Sequence, residues 1–394
     1  MKKVLATILA LVMAIGLCSV SWADEGVTTA EALNTAVGAG GEVKLGADIS
    51  ATITIPAGKT VTLNLNGKTL TGSIVNKGNL TVTGTGSVVA TDAGTAAVAN
   101  FPDGTVTLSG GTYESANWYV IKNMGEMYIN GPVNVQKPQD STDTSSLIDN
   151  GWYGSTDTVA NERVQAQANK AKLVISNGNF NGKSGAKSCS VVKNDDYGVL
   201  EISGGTFDST ANTGTDNATT LLNWNIATIS GGTFKGMYPI SNGAYTGEAD
   251  KGQITITGGE FIGTSTIFGS GQGGNAMGSV TVSGGTFTAP ALGAVYDNVD
   301  GGYTLTVSGG TFKDATGAKV DVSDYLASGK QQNADGSVST PSSGGYYYYQ
   351  PTTDTKTTDT KGSPKTFDAG IALYVGMALT SAAGVAFVGK KRED

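Results

Sequence analysis

The chain has 394 residues and carries 33 Asp and Glu against 25 Lys and Arg, a net charge of -8, which makes nucleic acid and anionic membrane surfaces poor partners. Histidine is absent, which removes the commonest general base and zinc ligand and excludes a histidine-based hydrolytic triad. The 58 glycines, set among Thr, Val, Ser and Asn, disfavour helix and suit short strands joined by tight turns.

At the N-terminus, "MKKVLATILALVMAIGLCSVSWADEG" joins two lysines, an apolar run and Ser21-Trp22-Ala23. This is the layout of a secretory signal peptide over residues 1–23, cut after Ala23. Cys18 follows Leu17 rather than a small residue, which argues against a lipoprotein signal. Cys189 is then the one cysteine of the mature chain, so no intramolecular disulfide can form although export is expected. In the capping segment 24–40, Ala32, Leu33, Ala36 and Val37 share one side of a two-turn helix, which predicts a cover for the first edge of a stack of strands.

Residues 41–334 are repetitive. The motif in "VLEISGGTF" at Phe207 recurs with ends at Tyr113, Phe180, Phe234, Phe261, Phe287 and Phe312, and from Phe180 onward the spacings are 27, 27, 27, 26 and 25 residues. A glycine-rich phosphate cradle is needed once, whereas a fixed period marks a repeat architecture. Each repeat reads as a short apolar stretch, an Asn or Asp, a variable turn, and an alternating strand into Ser-Gly-Gly-Thr-Phe. With two or three strands per coil and no helix within it, the expected fold is all-β, a parallel β-helix of about ten coils. In such a stack a residue at a fixed place in the repeat sits on its own kind. Leu305 and Val307 are expected inward, Thr306 outward, and Phe312 on Phe287. The Gly-Gly pair supplies a corner that needs positive φ and has no room for a side chain against the next coil. Asn76, Asn123, Asn194 and Asn242 are placed to bond coil to coil at another corner.

The period breaks at an insertion, residues 136–171, expected to hold one degenerate coil around Leu147 to Asn150 and a short helix near Val159 to Asn169. Insertions into a solenoid emerge as loops, where function tends to sit. The candidate ligand-binding residues are therefore Trp152, Tyr153 and Arg163 within it, with Trp118 and its neighbour Tyr119 placed to lie nearby. Planar aromatic faces beside Asn and Asp suit a sugar ring or a protein partner, or simply cover the solenoid flank. Two acidic groups are weighed for catalysis, Asp195 with Asp196 and Asp297 with Asp300; both are expected in solvated loops and neither follows a calcium-loop spacing. No catalytic residue, cofactor or metal site is assigned.

Residues 335–362, rich in Ser, Thr, Gly and Pro, read as a disordered stalk. Beyond it, Ala369 to Val388 is 20 residues without a charge, long enough at roughly 30 Å to cross a bilayer core as a helix, and Lys390, Lys391 and Arg392 follow on the cytoplasmic side.

With "SPKTFDAG" upstream, segment 363–394 resembles the cell-wall sorting signal of Gram-positive surface proteins through Pro364, Lys365 and Thr366, with Ser363 and Phe367 in place of that family's leucine and glycine. The resemblance implies attachment to peptidoglycan by a sortase acting between Thr366 and Phe367, or retention of the helix as a membrane anchor. Over roughly residues 40 to 325, periodicity and turn chemistry resemble the right-handed pectin-lyase-like β-helix, and "TVTLNLNGKTLTG" looks like the opening segment of bacterial surface proteins of that type. Expected is a surface-anchored, adhesin-like protein that recognises an extracellular glycan or a host or neighbour-cell protein. The alternative is an extracellular polysaccharide lyase or glycosidase on the same fold.

Overall fold

The computed structural model describes residues 25–341, apart from 117, 139–140, 142, 152–170, 183–189, 212–218, 244–251, 271–277 and 294–302. The segments expected to be a signal peptide, a sorting motif with Pro364, Thr366 and Phe367, and a membrane helix over 369–388 lie outside the described residues. Among the described residues no helix is long and apolar enough to cross a membrane.

Three long parallel sheets carry the chain, two of eleven strands and one of nine. One coil illustrates the path. Val199–Ile202 lies in the first sheet, Thr206–Asp208 in the second and Thr219–Asn223 in the third, and the chain then re-enters the first sheet at Ile226–Ile229. Register is kept without slippage: Ile202 sits between Ile175 and Ile229, and Ile229 beneath Ile256. All four are buried. Alternation places every second residue of a strand inside, so one apolar residue per strand position, repeated coil after coil, builds a continuous core. Leu305 and Val307 point inward and Thr306 is exposed, as the pattern predicts.

In the second sheet Phe180, Phe207, Phe234, Phe261, Phe287 and Phe312 form a stack with ring centroids 4.5 to 5.0 Å apart and planes within 9° of parallel. Ring-on-ring packing of this kind adds about 0.5–1.5 kcal/mol per pair beyond the area it buries. The two glycines of the corner do different work. A Cβ at Gly231 would lie 2.3 Å from the carbonyl oxygen of Ser203 in the preceding coil, whereas Gly232 adopts φ +95°. Closeness excludes a side chain at the first position and backbone conformation at the second.

Both ends of the stack are closed. Helix α1, Ala30–Ala39, covers the first coil with Leu33 and Val37 buried and Ala32 and Ala36 packed beside them. It starts where the Thr29 hydroxyl accepts from Ala32 N at 3.2 Å. At the other end, Gln331–Gln332 pairs antiparallel with Val338–Ser339, and Val320, Val322 and Val338 are buried. Val338 N donates to Gly310 O at 2.8 Å and Phe312 N to Gly336 O at 3.0 Å, so the last coil's backbone groups find partners. The ordered body thus runs past residue 334 into the start of the segment read as stalk, because Val338 has a core to join.

The 136–171 insertion is not one excursion. Asn134–Gln136 belongs to the second sheet, and Ile148–Asn150 returns to the third in register with Ile121–Asn123. The degenerate coil is therefore a full rung of the stack. The helix expected near Val159 to Asn169 falls outside the described residues.

Candidate functional site

The third sheet is built from strands of three to five residues, seven of its nine ending on asparagine, as in "IKN", "IDN" and "VKN". Two-residue alternation turns the first and third residues of such a triplet inward and the middle one outward. Seven asparagines form the inner ladder. Asn76 Nδ2 donates to Asn100 Oδ1 at 2.8 Å, and the chain of amides continues through Asn123, Asn150, Asn194 and Asn223 to Asn242 at 2.7 to 2.8 Å per step. Each of these amides also donates to backbone carbonyls of its own or the next coil's corner, for example Asn150 Nδ2 to Val199 O at 3.1 Å. That satisfies the second amide hydrogen and fixes the turn from the third sheet into the first.

The outward column is where regularity fails. Successive middle residues are Lys122, Asp149, Lys193 and Leu222, paired in register. Lys122 is half-buried, whereas Asp149 and Lys193 are buried. Lys122 Nζ contacts Asp149 Oδ2 directly and donates to Gly151 O at 3.1 Å. Lys193 Nζ lies 2.7 Å from Asp195 Oδ2 and 3.9 Å from the centre of the Trp224 ring. A lysine over an indole face in a dry setting is held by the ring quadrupole as well as by its carboxylate.

Asp195 and Asp196 do not lie in a solvated loop as expected from the sequence; their exposures are 0 % and 6 %. The ladder draws Asn194 inward and the following turn folds back on the previous coil. Asp195 N donates to Asn150 O at 2.7 Å, Gly198 N donates to Asp195 O at 3.0 Å, and the Gly151 backbone lies flush against residues 195 and 196. Tyr197 takes φ +62° to complete the turn. Burial pushes the Asp195 carboxyl up to about 8; Lys193 opposes this, the Asp149 carboxylate adds to it, and Lys122 opposes it. Asp297 and Asp300 lie outside the described residues.

At the open end of the column stands Trp118, 40 % exposed. Its ring meets Tyr119 edge to face, centroids 4.9 Å apart at 71°, and the Tyr119 ring lies 5.4 Å from Lys122 Nζ. Trp118, Tyr119, Lys122, Asp149, Lys193, Asp195 and Trp224 therefore make one continuous strip along four coils. Trp152 follows Gly151, whose carbonyl Lys122 holds, but Trp152, Tyr153 and Arg163 lie outside the described residues. Of the sequence candidates the structure thus places Trp118 on the strip. Sequence reasoning missed Lys122, Asp149 and Lys193, although a charge in the middle of three consecutive apolar-x-Asn triplets was a readable signal. A separate polar cleft of about 350 Å³ lies between Asp103, Glu126 and Lys172. Among the described residues no group of three or more Cys, Asp and Glu is arranged to hold a metal ion.

The chain matches no protein-family model, and comparison with curated proteins and with solved structures finds no match.

Proposed function

We propose that the protein is displayed on the cell surface as an adhesin-like β-helix that binds an extracellular glycan or protein and does not turn it over. The coil is taken as right-handed, since crossovers between parallel strands nearly always are. Export by the 1–23 signal and retention by the 369–388 helix, or by a sortase acting between Thr366 and Phe367, put the body outside the cell. One observation carries the reading: among the described residues Trp118 and Ile226 are the large hydrophobic side chains left exposed, and Trp118 alone is backed by a second aromatic ring and a lysine. A rigid indole on a polar flank suits stacking on a sugar face or anchoring a protein.

The enzymatic alternative has Asp195 in its favour, a carboxylic acid that keeps its proton near neutrality. Its 0 % exposure withholds it from a polysaccharide chain. The test is the purified protein on a glycan array with matrix proteins alongside, and the same glycans assayed for reducing ends and unsaturated products. Retention without product is expected. Product that disappears in Asp195→Ala reverses the reading.

A further inference from the structure

The chain beyond the signal peptide can make no disulfide within itself, yet between two adjacent coils it sets a half-buried lysine against a fully buried aspartate. We propose that Lys122 and Asp149 condense spontaneously into an intramolecular amide that ties the two coils together, with Asp195 carrying the proton.

The geometry supplies each part. Lys122 and Asp149 are register partners on neighbouring strands, so their side chains leave the sheet side by side. Lys122 Nζ touches the Asp149 carboxylate and is steered there by Gly151 O at 3.1 Å. Asp149 is fully buried, and its Oδ1 has no hydrogen-bond partner among the described residues. Two opposite charges in a dry setting carry a large desolvation cost, which a neutral amide removes. Water, the reagent that would reverse the bond, is kept from the fully buried Asp149 carboxyl, while the half-buried Lys122 side leaves the product water a way out. The Asp195 backbone lies against Gly151 from the next coil, and its carboxyl stands 2.7 Å from Lys193 Nζ, whose residue is the register partner of Asp149. A carboxyl still protonated near neutral pH is a competent proton carrier.

The step balances without any other reactant. Of the three protons on the lysine ammonium, one stays on the amide nitrogen. The other two leave with one Asp149 oxygen as water, passed through Asp195, which ends as it began. A C–N bond forms at Asp149 Cγ and a C–O bond breaks. Lys193 Nζ lies 3.9 Å from the centre of the Trp224 ring, a partner it has independently of Asp195.

The test reads the purified full chain by mass after trypsin. Cleavage follows Lys77, Lys122 and Arg163 but is poor at Lys137, which precedes Pro138. An acylated Lys122 resists trypsin, so residues 78–163 are expected as one peptide, lighter than its sequence by one water. In Lys122→Arg and Asp149→Ala the deficit should vanish, with circular dichroism reporting that the fold is kept. Asp195→Asn should slow cross-linking about a hundredfold or more, the scale of a lost acid–base group, and Asp195→Glu should restore it. Separate peptides of full mass from the parent chain overturn the bond. Cross-linking at the parent rate in Asp195→Asn overturns the role of Asp195.

Discussion

The two corner glycines separate steric exclusion from backbone conformation. Gly231→Ala pushes a methyl into the Ser203 carbonyl, a backbone atom that cannot step aside, and should cost about 2 kcal/mol or more in urea unfolding. Gly38→Ala, in α1 with open space around it, should instead stabilise by about 0.5–1 kcal/mol through helix propensity. Asp195 predicts a pH dependence whose sign follows from its burial. Its carboxyl holds a proton up to about 8 in the folded chain and releases it near the ordinary carboxylate range, about 4, when unfolded. Between those limits the folded state binds the extra proton, so stability should fall as pH rises, by at most about 1.4 kcal/mol per pH unit. Unfolding midpoints at pH 5.5 and 7.5 test this: the lower pH should be the more stable, and Asp195→Asn should remove the difference. A parent chain more stable at 7.5 contradicts the burial argument. The sequence announced the corner glycines through repetition, but it could not show Asp195 buried, because the turn that buries it depends on Asn150 and Gly151 in the coil before.

At the scale of elements, the asparagine ladder and the phenylalanine stack hold different faces of the coil. Removing the amide in Asn150→Ala strands the Asn123 donor and the Asn194 and Val199 acceptors in a dry corner, an expected loss of about 2–3 kcal/mol. Phe234→Ala opens a gap between two stacked rings and should cost about 3–5 kcal/mol. The stack could be read from the sequence because its period is nearly constant. The ladder was read in part: Asn76, Asn123, Asn194 and Asn242 stood out by their turns, whereas Asn100, Asn150 and Asn223 are spaced by connections of unequal length and show themselves only once the third sheet is seen. That sheet's outer column was legible only in part: the charge in the middle of each of the three apolar-x-Asn triplets stands in the sequence, but not which triplets are neighbours. Lys122, Asp149 and Lys193 are adjacent in space, but the step of 44 residues from Asp149 to Lys193 falls outside the regular period that the 27 residues from Lys122 to Asp149 still keep.

Over the whole body, eleven rungs at about 4.8 Å each give a sheet about 50 Å long. Regular positions make the scaffold, and the irregular outer face of the third sheet carries what is unique. The most direct measurement is a paired one on two variants, affinity for whatever ligand the array identifies and the urea midpoint of the same samples. Trp118→Ala, at an exposed side chain, should weaken binding by about 2 kcal/mol or more while leaving the midpoint unchanged. Gly231→Ala should lower the midpoint while its folded fraction binds as the parent does. If Trp118→Ala binds normally, or if Gly231→Ala loses binding with its midpoint intact, the recognition surface lies on the regular faces of the coil and not on the third sheet.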